Sequence, residues 1–320
     1  MTSILVITLF YPPHHYGGYE IACQSAVNGL VARGHTVQVL TADLELPDRG
    51  PDDPSAPVRR DLRPYVHDGE LRRPSLPERF RTERHNQTAL RRALEDAKPD
   101  VVSIWHFGAL SHGLITTVRE RGIPVVAVIA DDWLIYGVNV DPWMSVFTSS
   151  GPRRIVGRAV ERATGIPTHL PTFDDEVGVL FTSEDNRERS RRDGRLTATR
   201  DAISYLGIDT GAFTGVRADA EPGLLLYAGR CDPRKGIGTV IDALTSLPDH
   251  RLEIRAPDGD GTHGDELRAR ADDAGVFQHA DVLEEGGQAH GKRLGQFADR
   301  GGALPEPAHD GAARGDGEGR

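Results

Sequence analysis

Short apolar runs alternate with amphipathic segments along most of the chain, which predicts strands alternating with helices. The apolar runs predict strands at Ile4–Phe10, Val37–Thr41, Val58–Tyr65, Val101–Trp105, Pro124–Ala130, Val177–Thr182, Ala202–Leu206 and Leu224–Ala228. Helical spacing predicts helices at Tyr19–Arg33, Asn86–Ala97, Leu110–Arg121, Arg153–Ala163, Ser183–Asp193 and Gly264–Ala274, and one that opens near Lys235–Gly236. Continuous apolar strands between helices are typical of parallel sheets, so the predicted fold class is α/β.

The same pattern divides the chain into parts. Residues 1–215 are predicted to form a Rossmann-like domain, and the polar segment Gly215–Pro222 a linker. Residues 216–276 then form part of a second α/β domain. The stretch 277–320 has few branched aliphatic residues, so it cannot make a buried strand and is expected to be disordered or loosely attached. Apart from Val58–Tyr65, the polar stretch from Asp43 to Arg84 is expected to be a long surface loop.

Composition excludes several classes of protein. A formal net charge of −10 argues against nucleic-acid binding and against broad attraction to anionic lipid, although a local basic patch and peripheral membrane contact stay open. Cys23 and Cys231 are too far apart in sequence to suggest a disulfide framework or a metal site. The first apolar run stops at Pro12–Pro13, and no stretch is long enough to span a bilayer. A cytoplasmic protein with unlinked thiols is therefore expected.

The segment Leu224–Leu244, LLLYAGRCDPRKGIGTVIDAL, predicts an anion site. It reads as a buried strand, covered on both faces, followed by a basic turn and a helix. Arg230, Arg234 and Lys235 lie in that turn beside Gly229. Backbone N–H groups and the helix dipole would favour a phosphate or diphosphate there. The alternative is an ordinary strand-to-helix loop with solvated charges.

Gly17 and Gly18 lie at the first strand-to-helix turn, where bare backbone lets a ligand come close. The alternative is a simple pair of turn glycines. Their spacing differs from the GxGxxG motif of dinucleotide-binding folds, so an NAD enzyme is not favoured.

His106, Asp131 and Asp132 each follow a predicted parallel strand. Ligands of open α/β sheets collect at that carboxyl edge, so His106 is a candidate general base and Asp131 a candidate catalytic partner. As alternatives, His106 makes a structural hydrogen bond to loop backbone, and Asp131 caps the next segment. Two adjacent acids without further ligands are a weak metal signal, and no metal is predicted.

Several segments together resemble the family 4 glycosyltransferases, which are retaining enzymes of GT-B architecture. They are FYPPHHYGGYE, PDVVSIWH, GIPVVAVIADDWLIYG, LFTSEDNRERS, YLGIDTGAF and YAGRCDPRKGIGTVIDAL. The resemblance covers residues 1 to 276. It implies two Rossmann-like domains with parallel sheets, the second one incomplete here. It also implies a nucleotide-diphosphate sugar as donor, a glycan, lipid or small-molecule acceptor, and no cofactor or metal.

The resemblance also implies roles for residues of the two turns. Arg230 and Lys235 would hold the donor diphosphate, with Gly17 and Gly18 against it from the other domain, so that the reaction takes place in the cleft between domains. Two cations and a helix start would stabilise the charge that develops on the departing diphosphate.

Two departures from the family pattern are visible. Asp131 stands where the family commonly has the His of a His–Asp pair, so that role cannot be carried over, and His106 could substitute for it in space. The family's segment with two glutamates is absent, since Glu306–Pro307 is followed by AHDGAAR, with Arg314 in place of the second glutamate. The composition of the tail suggests a frameshift near Phe277, which would leave the transferase inactive. The alternatives are a non-catalytic nucleotide- or acceptor-binding remnant and a GT-B nucleotide-sugar epimerase, although the RKG turn and YLGIDTGAF favour the transferase.

Overall fold

The computed structural model describes residues 1–46, 50–52, 54–67, 70–148, 151–196, 198–208, 210, 222–229, 235–247, 249–257, 278–283 and 292–293. The chain divides into two compact units, Met1–Thr210 and Gly211–Arg320. In the first unit the strands are β1 Ser3–Ile7, β2 Thr36–Ala42, β3 Val58–Leu62, β4 Val66–His67, β5 Glu70–Leu71, β6 Val101–Ile104, β7 Val125–Ile129, β8 Val177–Phe181 and β9 Arg200–Ile203. Its helices are α1 Gly18–Ala32, α2 Leu76–Ala97, α3 Gly113–Glu120, α4 Trp133–Val140, α5 Met144–Phe147, α6 Pro152–Thr164 and α7 Glu184–Asp193. The second unit contains β10 Leu224–Ala228, α8 Ile237–Leu244, β11 Arg251–Pro257, β12 Gln278–Leu283 and β13 Lys292–Arg293.

The first unit is built on a seven-stranded sheet in the order β3-β2-β1-β6-β7-β8-β9. Every neighbouring pair in it is parallel, which confirms the α/β prediction. The chain adds strands on one side of β1 up to β3 and then on the other side from β6 onwards. The carboxyl ends of β1 and β6 therefore flank the point at which the strand order reverses, where open sheets bind ligands. The fully buried core includes Leu5, Ile7, Ile104, Ala127 and Ile129 from the central strands.

Helix α2 begins at Leu76, ten positions before the predicted start at Asn86, and so replaces much of the expected loop. Its start is a capping box, in which the Ser75 N–H donates to Glu78 Oε2 at 2.9 Å. The apolar spacing did not reveal the turns before Asn86, because the residue that they bury is a polar one, Glu83, and Asn86 that follows is buried as well. Asn86 exchanges two hydrogen bonds with the Arg63 backbone, at 2.7 and 2.9 Å. A helix that buries satisfied amides does not show the expected period.

Helices α4 and α5 were not predicted either. Helix α4, WLIYGVNV, is apolar at nearly every position, so no polar face marks it as a helix. The buried carboxylate of Asp141 joins α4 to its surroundings by accepting from the His112, Trp143 and Met144 backbone N–H groups. Among the helices in the described part of the chain, none has the length and apolar character needed to cross a bilayer.

The second unit contains a sheet in the order β10-β11-β12-β13, with β10, β11 and β12 parallel. Strand β10 has the predicted bounds, but the prediction that both of its faces are covered is wrong, because Leu225 and Leu226 are 37% and 64% exposed. Leu225 and Leu226 are adjacent in the strand and point to opposite faces, so each face of β10 is open at one of them. The predicted helix Gly264–Ala274 lies outside the described residues.

The stretch after Phe277 contributes two strands to this sheet. Gln278–Leu283 pairs with β11 in parallel, and Lys292–Arg293 pairs with β12. The expectation of a disordered or loosely attached tail concerns the whole of residues 277–320 and stays an expectation. Pairing uses backbone groups, which every sequence supplies, and so does not need the missing apolar side chains.

A buried acid in α2 lies in a polar cluster of the first unit. The Tyr65 hydroxyl donates to Glu83 Oε1 at 2.7 Å, while Glu83 Oε2 is buried without a hydrogen-bond partner among the described residues. Burial, reinforced by the charge of Asp141, raises the pKa of Glu83 to about 8. Glu83 is therefore protonated in the folded protein at neutral pH.

This proton makes stability depend on pH. Between pH 4.5 and 8 the unfolded chain releases the Glu83 proton while the folded chain keeps it, so the free energy of unfolding falls as pH rises, by about 5 kcal/mol at most. We expect Glu83→Gln, which stays neutral and can still accept from Tyr65, to flatten this slope. Urea unfolding at a series of pH values measures it.

The control is Glu95→Gln, an exposed acid on the same helix, 3.8 Å from Arg121. It should leave the slope between pH 5 and 8 as it is in the unsubstituted protein. An unchanged slope in Glu83→Gln would mean that Glu83 is ionised in the folded state.

Candidate functional site

The carboxyl ends of β1, β6 and β7 bring the predicted site residues of the first unit together. His106 follows β6 by two residues, and Asp131 follows β7 by two. Gly17 and Gly18 lie where the loop after β1 enters α1. Because β1, β6 and β7 are neighbours in the sheet, residues far apart in sequence share one edge.

The His106 ring lies between two carboxylates. Its Nδ1 is 2.8 Å from Glu20 Oε1, and its Nε2 is 3.9 Å from Asp131 Oδ2. The ring stacks on Tyr19, with centroids 5.3 Å apart, and the side chain is 23% exposed. The alternative in which the ring hydrogen-bonds loop backbone is therefore not what the structure shows, since the partner of Nδ1 is an acid from α1.

Asp131 caps the next segment, as one of the two alternatives expected, and also faces His106. Its Oδ1 accepts from the Trp133 N–H at the start of α4, at 3.2 Å. Its Oδ2 accepts from the Tyr136 hydroxyl at 2.8 Å and is the oxygen that faces His106. One oxygen thus fixes the carboxylate to the helix, while the other is held towards the site.

Glu20 was missed by the sequence analysis. An acid in the first turn of a helix is favoured by the dipole and is usually solvated, so its position in GGYE did not single it out. In the structure its side chain is only 4% exposed. Only the tertiary structure reveals that Glu20 is buried, since the first turn of α1 packs against the ends of β6 and β7.

Tyr19 fixes that turn of α1 to β7. Its hydroxyl donates to the Val128 carbonyl and accepts from the Ala130 N–H at 3.2 Å. Burial, together with the charge of Asp131, raises the pKa of the Tyr19 phenol well above its usual value. It therefore stays protonated and continues to donate.

The Asp132 side chain accepts hydrogen bonds from residues of α7, unlike that of Asp131. Arg189 Nη1 donates to Asp132 Oδ2 at 2.5 Å, and Asn186 Nδ2 lies 3.3 Å from Asp132 Oδ1. Ser183 caps α7 by accepting from the Asn186 N–H. The two adjacent acids thus serve different neighbours and do not converge on one point.

Gly17 and Gly18 leave open backbone at the start of α1. Gly17 is the N-cap, in an extended conformation. Gly18 is exposed, and a Cβ placed on it would meet nothing within 4 Å. Arg60 braces the preceding loop by donating to the Tyr11 and Pro12 carbonyls at 3.1 and 3.2 Å. The first helical N–H groups are therefore accessible at a fixed position.

In the second unit, Lys235 is exposed and immediately precedes the N-cap of α8, Gly236. Gly236 has a φ of 70°, in the left-handed region that glycine favours. The helix thus opens where the sequence predicted. Arg230 and Arg234 lie outside the described residues, so the anion site of this turn stays a prediction.

Asn186 positions the Asp131–Asp132 segment, and its removal has a measurable cost. Its Nδ2 donates to the Asp131 carbonyl at 2.9 Å as well as to Asp132, and the residue is buried. We expect Asn186→Ala to lower the free energy of unfolding by about 1–3 kcal/mol, because a buried carbonyl loses its donor. Asn28→Ala, which loses an exposed contact with Ser55, should stay within about 0.5 kcal/mol in the same urea titration. Equal effects of the two substitutions would contradict this role.

Solved structures with a similar fold include proteins named as glycosyltransferases and a UDP-GlcNAc 2-epimerase. Sucrose-phosphate synthase from Thermosynechococcus elongatus matches with a TM-score of 0.56 and 17% identity, over 89% of this chain and 70% of that one. The catalytic domain of starch synthase IV from Arabidopsis thaliana, bound to ADP and acarbose, matches with a TM-score of 0.49 and 12% identity. The match covers 90% of this chain and 75% of that one. MurG from Acinetobacter baumannii matches with a TM-score of 0.42 and 15% identity, over 88% of this chain and 66% of its own.

A search of curated proteins found no match to this sequence. Residues 16–211 match Glycosyltransferase Family 4, which is more than half of the chain. The matched region contains Gly17, Gly18, His106 and Asp131. The fold is α/β of the GT-B type, and the chain belongs to Glycosyltransferase Family 4.

Proposed function

We propose that this protein transfers a sugar from a nucleotide-diphosphate sugar to an acceptor hydroxyl, with retention at the anomeric carbon. The observation that carries the proposal is the His106 ring between Glu20 and Asp131, at the carboxyl edge of a family 4 first unit. Retention and the class of donor rest on the family. The acceptor is a glycan, a lipid or a small molecule.

His106 has the geometry of a proton acceptor. An ionised Glu20 oxygen can only accept, so Nδ1 carries the hydrogen in that pair and Nε2 keeps its lone pair. In the proposed reaction the bond from the anomeric carbon to the diphosphate oxygen breaks, and the acceptor oxygen bonds to that carbon on the same face, which keeps its configuration. Nε2 takes the hydroxyl proton, and the electron pair of the broken bond leaves with the diphosphate. Glu20 and Asp131 then stabilise the positive charge on the ring.

The donor diphosphate is proposed to use backbone and cations. Gly17 and Gly18 offer a close approach to the first N–H groups of α1, where the helix dipole favours negative charge. In the second unit we assign Lys235 and Arg230 to the diphosphate. Charge-assisted hydrogen bonds from these residues would stabilise the leaving group without a metal.

Removing the His106 ring tests the role of the base. In the full chain, supplied with UDP-, GDP- and TDP-linked sugars, we expect His106→Ala to lower nucleoside diphosphate release by about a hundredfold, as for loss of a general base. His169→Ala is a matched control, because His169 also lies 3.2 Å and 3.9 Å from two glutamates, but on α6 and α3. It should leave the rate unchanged. A rate that survives His106→Ala would remove His106 from the reaction.

A second candidate function is binding of the nucleotide or acceptor without catalysis. Two observations favour it: Asp131 in the family's histidine position and Arg314 in place of the second glutamate. Nucleotide binding by calorimetry, without release from any of the three donors, would support this candidate over the transferase. Neither binding nor release would contradict both.

Gly18 gives a separate test of the diphosphate contact. We expect Gly18→Ala to keep or slightly raise stability, because the new methyl group meets no atom within 4 Å and alanine favours the helix. The same methyl would occupy the approach to the backbone, so Kd for UDP, GDP or TDP should rise about tenfold or more by calorimetry.

Gly29→Ala is the control on the same helix. Its Cβ would lie 3.1 Å from Arg33 Nη1, the movable end of a side chain, so the fold should accept it and nucleotide affinity should not change. If Gly18→Ala binds as tightly as Gly29→Ala, the diphosphate does not approach Gly18.

A further inference from the structure

Helix α6 of the first unit carries its apolar side chains on the outside. Ile155 is 73% exposed and Val156 is 56% exposed, while the residue that α6 buries fully is Gly157. A Cβ on Gly157 would lie 2.9 Å from Thr168 Oγ1 and 3.2 Å from Phe147. The helix contacts the unit through Gly157 and the partly buried Val160, while its larger apolar side chains Ile155 and Val156 face the surroundings.

The exposed apolar residues form one stripe along α6, which we call the α6 stripe. Its members are Pro152, Ile155, Val156, Ala159 and Ala163, all exposed. At 100° per residue they fall within about a third of the helix circumference. Such a continuous stripe on the solvent side indicates contact with something apolar.

Arginines border the α6 stripe on both sides. Arg162 and Arg158 lie on one border and Arg153 on the other, and Arg154 continues the four-residue row away from the stripe to the side of the groove. All four are exposed, and in the part of the chain that the structure describes none of them forms an ion pair. The helix is thus strongly basic in a chain whose net charge is −10.

The one acid of α6 is turned inwards. Glu161 Oε2 accepts from the Thr168 N–H and Oγ1, both at 3.0 Å, and lies 3.2 Å from His169 Nδ1. Glu161 therefore has partners of its own and does not neutralise the outer arginines. The outer side of α6 combines apolar side chains with uncompensated positive charge.

A groove runs beside the helix. It has a volume of about 570 Å³, and its lining includes Arg154, Arg158, Phe147, Thr148 and Thr168. Its lining also includes Glu161 and His169, and the Thr168 hydroxyl already donates to Glu161. The two guanidinium groups and the Thr148 hydroxyl are the groups that suit the oxygens of a phosphate. The groove is thus placed to take an anionic headgroup beside the stripe.

We propose that α6 docks the protein on an anionic lipid bilayer, with the α6 stripe in the acyl boundary and the arginines at the phosphates. Arginines on both borders of an apolar stripe are typical of a helix lying in the membrane interface, because their stems cover apolar surface while their heads reach the phosphates. A stable protein interface needs about 20–30 residues a side, far more than this stripe provides. The proposal is independent of the transferase function.

Vesicle flotation with the full chain tests this inference. Vesicles of phosphatidylcholine and phosphatidylglycerol in equal parts should carry the protein, and vesicles of pure phosphatidylcholine should not. Binding should weaken with added salt, because the arginines act electrostatically. Arg154→Gln with Arg158→Gln should weaken binding by about 25-fold, or about fivefold for each charge removed.

The double substitution Ile155→Ser and Val156→Ser tests the apolar part and should reduce binding at least tenfold. Matched controls are Leu76→Ser, 56% exposed at the start of α2, and Arg81→Gln with Arg84→Gln on its exposed side. These controls should bind like the unsubstituted protein. Equal unfolding midpoints in urea show that every variant is folded.

Three results would overturn the inference: no flotation with anionic vesicles, equal binding to neutral vesicles, or unchanged binding by both α6 double variants. A dimer of the unsubstituted chain that the Ile155→Ser and Val156→Ser variant dissociates, without vesicle binding, would instead assign the stripe to a second copy. Because flotation needs no nucleotide sugar, failure of the transferase proposal would leave this result unaffected.

Discussion

The hydrogen bond between Glu20 and His106 is the contact on which the candidate site of the first unit depends. A carboxylate that is only 4% exposed is costly unless a donor reaches it, and His106 Nδ1 does so at 2.8 Å. The bond joins the first turn of α1 to the end of β6. It therefore ties the glycine turn, a candidate for contacting the donor, to the ring that is a candidate for receiving the proton.

The neighbouring contacts hold this pair in place from two further elements. The Tyr19 hydroxyl connects α1 to the backbone of β7, and Tyr136 holds Asp131 Oδ2 on the side of the histidine. Asp132 is drawn the other way, by Arg189 of α7. Two chemically identical neighbours thus have separate duties, because one carboxylate fastens α7 to the loop and the other lines the site.

The first unit shows buried polar groups in two different roles. Glu83 is neutral in the fold, because burial and the charge of Asp141 raise its pKa more than the hydrogen bond from Tyr65 lowers it. Glu20 lies beside a histidine that can carry positive charge. Glu83 faces a phenol and the charge of Asp141, whereas Glu20 faces an imidazole that can take up a proton, so Glu20 is the one that is a candidate for a part in proton transfer.

The sequence by itself determined the alternation of strands and helices, the α/β class, the family, and the candidates Gly17, Gly18, His106 and Asp131. Periodicity and strand-to-helix order suffice for these, because parallel strands place their carboxyl ends on one edge. The start of α2, the outward α6 stripe and the inward Glu20 were decided only by the tertiary structure. Each depends on which side of a helix packs against the rest of the unit, and the polar or apolar character of the residues alone does not fix that side. The polar residues Asn86 and Glu20 are buried with hydrogen-bond partners, while the apolar residues Ile155 and Val156 are exposed.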